Sequence, residues 1–158
     1  PTADGVRDFE LGFGAIEVKT TVSSSGFVAK IGSLEQLDDT NCKPIFLGAV
    51  KLCLTEEGQT LPDKIFEIRE KVEFDPLILA NFEDRLLSSS YLTSHSQQYY
   101  RKFFLLGIFT LEVDSNFPSM THGNVKSGVI SAKYEINLEP LIKRDVGLIA
   151  ALKKLEMI

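Results

Sequence analysis

Three residues near the start of the chain have types and spacing that could do chemistry. Asp8 precedes a Gly-bearing turn, and Glu17 and Lys19 follow it in the run Ala15 to Thr21. Successive side chains of a strand point to opposite faces, so Glu17 and Lys19 share one face while Ile16, Val18 and Thr20 can enter a core on the other. Leu11-Gly12-Phe13-Gly14 reads as a two-residue hairpin connection. With Gly12 first in the loop, a type II′ turn pairs Leu11 with Gly14, and counting back along both strands sets Asp8 opposite Glu17. A loop at Phe13-Gly14 instead pairs Asp8 with Lys19, and all three side chains still share a face. Two carboxylates held side by side repel each other. The arrangement makes sense if a divalent cation sits between them or if Lys19 neutralises them. Oxygen donors favour magnesium or manganese.

A chain of this size carries about one Glu-x-Lys by chance, and a solvated polar sheet face can display the same residues. The meaning of the motif therefore depends on the elements around it. Phe27 to Ile31 predicts a third strand, and Ser33 with Gln36 forms a capping-box signature for a short helical turn. Ile45 to Leu54 is nearly all apolar, with Lys51 its one charge, and predicts a central strand covered on both faces. Thr60, Pro62 and Asp63 open a helix in which Leu61, Ile65, Ile68 and Val72 keep helical spacing. That periodicity argues against reading Pro62-Asp63 with Glu67 to Lys71 as a second acid-acid-lysine motif. A second helix follows Asp75-Pro76 and ends at Ser88 to Ser90. Phe103 to Val113 and Val125 to Leu138 predict two long strands forming an antiparallel pair. The run Leu141 to Ile158 carries Leu148, Ile149, Leu152 and Leu155 at helical spacing, with Lys153 and Lys154 near its end.

Composition sets the bounds. With 158 residues, 44% hydrophobic and 25% charged, the chain suits one globular domain with a substantial core. No apolar run approaches the roughly 20 residues of a membrane-spanning helix, and no basic region followed by an apolar segment opens the chain, so no membrane partner and a cytoplasmic location are expected. Cys42 and Cys53 lack metal-ligand spacing and read as free thiols. His95 and His122 are too isolated to argue for zinc. The net charge of −5 argues against indiscriminate nucleic-acid binding while allowing a local basic face, for which Lys30, Lys43, Lys51, Arg101 and Lys102 are candidates. The segment Tyr91 to Arg101, rich in Tyr and Gln, either touches substrate or packs its rings on the domain.

Taken in order, Asp8-Phe9, Ala15-Ile16-Glu17-Val18-Lys19-Thr20-Thr21 and Ser33-Leu34-Glu35-Gln36-Leu37 resemble the PD-(D/E)XK family of restriction endonuclease-like proteins found near methyltransferases and phage-defence genes. Tyr91, His95, the Tyr99 to Phe103 region, Asn116-Phe117-Pro118 and the Val129 to Leu138 segment continue the likeness over nearly the whole chain. The resemblance implies an α/β fold with a mixed sheet of about five or six strands and flanking helices, forming one nuclease domain over residues 1–158. It implies Asp8 and Glu17 as metal ligands with the Val18 carbonyl, magnesium or manganese as the cofactor, and Lys19 orienting or activating the attacking water. Gln36 would be an active-site accessory on this likeness, or simply the cap of the Ser33 backbone on the residues alone. The partners implied are DNA and other restriction or defence proteins, and the reaction is phosphodiester hydrolysis. A catalytically silent DNA-binding module and a structural subunit of a defence assembly are the alternatives. Arg7 stands where the name of the motif has Pro. The family also places a helix before the Asp strand, and this chain begins seven residues before Asp8. That helix and part of the substrate groove are therefore expected before Pro1, with the chain a C-terminal fragment of a longer protein.

Overall fold

The computed structural model describes residues 5–157. Among the described residues six strands and three α-helices follow in the order β1 (Phe9–Leu11), β2 (Gly14–Thr21), β3 (Val28–Ile31), β4 (Ile45–Gln59), α1 (Leu61–Val72), α2 (Pro76–Ser88), β5 (Phe103–Glu112), β6 (Tyr134–Asn137) and α3 (Leu148–Lys154). The architecture is mixed α/β and restriction endonuclease-like. Its strands are divided between a four-stranded sheet, ordered β1-β2-β4-β5, and a two-stranded sheet of β3 and β6. β1 and β2 are antiparallel, whereas β2 and β4 are parallel, with Glu17 beside Leu47 and Lys19 beside Ala49. The chain forms two compact units, one of residues 1–52 and 106–158 and the other of residues 53–105.

In the first unit, alternation along β4 explains why a nearly unbroken apolar run is needed. Ile45, Leu47 and Ala49 enter one cluster with Phe27, Ile31, Leu37, Leu111 and Leu138, while Phe46 enters another with Ile16, Ala151 and Leu155. α3 therefore covers one face of the sheet near β2, and the β3/β6 ribbon contributes Ala29, Ile31 and Ile136 to the cluster on the other. The hairpin that leads into β2 has Gly12 at φ 58°, with Phe13 outside the positive-φ region, as a type II′ turn requires. Gly14 has a different reason to be glycine. A Cβ there would lie 2.3 Å from the Pro44 carbonyl oxygen and 2.4 Å from a Leu155 methyl.

In the second unit, α1 has the expected capping box. Thr60 Oγ1 accepts the Asp63 N–H at 3.2 Å, and the Asp63 carboxylate accepts the Thr60 N–H at 2.9 Å. The Pro62-Asp63 segment is thus the first turn of a helix. Asp75 caps α2 through the N–H groups of Leu77 and Ile78. Arg69 on α1 holds Glu83 on α2 with two bonds of 2.6 and 2.9 Å.

Three expectations give way. The long strand over Val125 to Leu138 shortens to Tyr134–Asn137, and it pairs with β3 rather than β5. Gly128 at φ 94° and the tight turns at Thr121 to Val125 break the chain before it, and the alternating burial of β3 matches that of β6. Residues 33–38 form a turn closed by the Asp38 N–H on the Glu35 carbonyl, with no helical turn at Ser33. The last helix starts only after Gly147, whose φ of 77° separates it from a short 3-10 turn at Ile142–Arg144. Cys42 and Cys53 are free and half-buried. No helix among the described residues is long and apolar enough to cross a membrane.

Candidate active site

The hairpin fixes the site. Leu11 pairs with Gly14, Glu10 with Ala15 and Phe9 with Ile16, so the loop is Gly12-Phe13 and Asp8 stands just beyond the last pair. Asp8 lies one residue before β1, and its Oδ2 accepts the Val18 N–H at 2.8 Å. The side chain thereby substitutes for the backbone partner that β1 no longer supplies. N–H and C=O of one strand residue point to the same edge, so the Val18 carbonyl faces the side on which Asp8 sits. Ile16 and Val18 pack toward α3, and Thr20 is exposed rather than buried.

Glu17 is on the opposite face and is only 2% exposed, one of two buried polar side chains among the described residues. Its Oε1 is 2.6 Å from Lys19 Nζ and accepts Gln36 Nε2 at 2.8 Å. Burial pushes its carboxyl above the usual range. The Lys19 ammonium and the Asp8 backbone amide pull in the other direction, and the Asp8 charge adds to the rise. The Glu17 carboxylate therefore meets one ammonium, with the Asp8 charge nearby, in a place that solvates its charge poorly. Additional positive charge would be stabilised there.

Gln36 does not cap Ser33, and its two amide atoms are divided between another backbone N–H and Glu17. Its Oε1 accepts the N–H of Gly32, not Ser33, at 2.7 Å, and its Nε2 reaches Glu17. With Oε1 committed to a donor, the nitrogen must face the carboxylate. The turn that carries Gln36 is held from two sides. Arg7 donates from Nε to the Gln36 carbonyl at 3.1 Å and from Nη2 to the carbonyls of Glu35 and Asp38 at 2.9 and 2.6 Å. On the other side His122 Nε2 lies 2.7 Å from Glu35 Oε1. Hydrogen bonds from the His122 and Ser33 side chains lower the Glu35 carboxyl to about 2. Spacing gives no signal for either Arg7 or His122: Arg7 binds backbone carbonyls, and His122 lies 87 residues from its partner.

The residues proposed for a basic face are largely engaged elsewhere. Lys43 pairs with Asp39 at 2.7 Å, Lys51 with Glu139 at 3.5 Å and Lys102 with Glu56 at 3.9 Å, while Arg101 lies over the Phe103 ring at 5.7 Å. Lys30 is exposed on β3. In the Tyr91 to Arg101 segment, Tyr91 is buried and packs against Tyr99 with ring centroids 5.2 Å apart.

Asp8, Glu17 and the Val18 carbonyl are oxygen donors of the kind that a hard divalent cation takes. Among the described residues no group of three or more His, Cys, Asp or Glu could hold a metal ion. A cation on this pair of acids would thus keep several waters, as magnesium commonly does. No curated protein and no solved structure matches the chain significantly. Residues 2–139 match the family described as "Putative PD-(D/E)XK family member, (DUF4420)", and with most of its length covered the chain belongs to that family.

Proposed function

We propose that this protein is a magnesium-dependent DNA endonuclease that hydrolyses phosphodiester bonds in restriction or phage defence. The observation that carries this reading is the meeting of Asp8, Glu17 and Lys19 at one place on a hairpin, in a chain of the PD-(D/E)XK family. Asp8 and Glu17, with the Val18 carbonyl, would hold magnesium or manganese. When bound, that cation supplies charge stabilisation at the phosphoryl oxygen and a more acidic water. Lys19 orients the attacking water or the phosphate with an ammonium held 2.6 Å from Glu17. Gln36 occupies Glu17 Oε1 from the other side and limits the rotation of the carboxylate. The near-complete burial of Glu17 strengthens each of these interactions.

Plasmid DNA incubated with the protein, with and without magnesium, provides the test. The wild type should nick the plasmid only when magnesium is present, and Lys19→Ala should lower the rate by about 10²-fold or more. Equal nicking by the two proteins would remove Lys19 from the chemistry. If neither protein cuts but both retard DNA in a gel, the silent DNA-binding module becomes the better account.

A further inference from the structure

We propose that Arg7 is a positioning residue, which fixes the Glu35–Asp38 turn so that the Gln36 amide stays on the Glu17 carboxylate. The proposal rests on the nuclease reading for the use to which that carboxylate is put. A guanidinium is a planar fork of N–H donors, well suited to gathering several carbonyl oxygens at fixed angles. Arg7 gathers three, those of Glu35, Gln36 and Asp38, at 2.9, 3.1 and 2.6 Å. The turn supplies one of these carbonyls with a partner of its own, the Asp38 N–H on Glu35, and Arg7 adds a donor to all three.

The consequence passes along two covalent links. Arg7 is bonded to Asp8, which is anchored at the edge of β2 by the Val18 N–H. Gln36 extends from the clamped turn to Glu17 Oε1, with its own oxygen held by Gly32. A glutamine side chain has three rotatable bonds and finds one orientation only if its backbone is fixed. One dipeptide, Arg7-Asp8, therefore sets an acid at one side of the site and the amide partner of the second acid at the other. A proline before Asp8 would supply none of these donors. Arg7 touches neither Glu17 nor Lys19 by any of its three hydrogen bonds, so it acts through Gln36.

The test reads Gln36 directly. In ¹⁵N-labelled wild-type protein the Gln36 side-chain NH₂ should exchange slowly with solvent, and Arg7→Ala should speed that exchange at least about tenfold while circular dichroism stays unchanged. In plasmid cleavage with magnesium, Arg7→Ala should lower kcat about tenfold with KM little altered, the range found when partners of metal-binding side chains are removed. Arg7→Lys, which lacks the fork, should fall between the two. The Arg7→Ala/Gln36→Ala double variant should be no slower than the slower single variant. Unchanged Gln36 exchange in Arg7→Ala would overturn the proposal, as would kcat losses that multiply in the double variant. If Arg7→Ala fails to fold, Arg7→Lys is judged by the same exchange measurement. The NH₂ readout needs neither cation nor DNA. A wild type that never cuts, but whose Gln36 exchange depends on Arg7, would refute the nuclease reading and leave the positioning intact.

Discussion

Asp8 Oδ2 takes the N–H of Val18 at 2.8 Å, at the point on the β2 edge where β1 has ended. The same carboxylate thus finishes the hairpin and belongs to the candidate site. Its two duties separate under substitution. Asp8→Asn keeps an oxygen for the Val18 N–H and should retain most of the wild-type stability. Asp8→Ala leaves that donor unpaired and should cost about 1–2 kcal/mol in urea denaturation. Both should lose magnesium-dependent cleavage.

The Glu17 and Lys19 pair predicts a second asymmetry. Lys19→Met leaves a buried carboxylate without its ammonium and should destabilise the fold by about 3 kcal/mol, the range for breaking a buried pair from one side. Glu17→Gln removes the charge that burial disfavours and should raise Tm at neutral pH while abolishing cleavage. A Glu17→Gln/Lys19→Met protein should recover most of what Lys19→Met loses. A double variant as unstable as Lys19→Met alone would show that lost packing of the lysine stem, rather than unpaired charge, sets the cost.

These expectations also show how much of the site could be read from residue order. Period-two alternation puts Glu17 beside Lys19, and the Gly12-Phe13 turn sets the β1–β2 register, because both are local rules and the chain obeys them. The caps of α1 and α2 were legible for the same reason. The setting of Glu17 was not, since its Gln36 partner lies 19 residues away. Arg7 is not legible in the sequence because its partners are backbone carbonyls 28 to 31 residues distant, which leave no trace in side-chain types. The shortened final strand failed on a long-range choice as well. β6 satisfied its edge with β3, and nothing in the local pattern of Val125 to Leu138 distinguishes that partner from β5.

Glu35 ties acid stability to the turn over the site. Its carboxyl falls from the ordinary 4.5 to about 2, chiefly through the hydrogen bond from His122 and then that from Ser33. A carboxyl lowered on folding contributes stability that is complete above its unfolded value and disappears as pH falls through its folded one. The contribution should therefore fade between about 4.5 and about 2. Glu35→Gln lacks it at every pH, so the Tm gap between wild type and variant should narrow across that window and close at its acid end. Thermal melts at stepped pH measure this. A gap that stays constant would place the stabilising contact elsewhere.

Gly14→Ala tests the packing beneath the hairpin. The added methyl would overlap the Pro44 carbonyl and the Leu155 side chain, of which only the second can move. A loss of about 1–3 kcal/mol is expected in chemical denaturation. Combining it with Leu155→Ala should not restore stability, because the contact with the Pro44 backbone remains.

The two-residue loop at Gly12-Phe13 turns chain length into a measuring device. Nine residue steps separate Asp8 from Glu17, and the turn converts that count into a fixed distance between two acids. Adding or deleting one residue between them would rotate Asp8 off the edge that Val18 presents, even with every chemical group still in place. Most surface loops can gain a residue at little cost, but this one carries a length constraint as strict as the identity of the acids themselves.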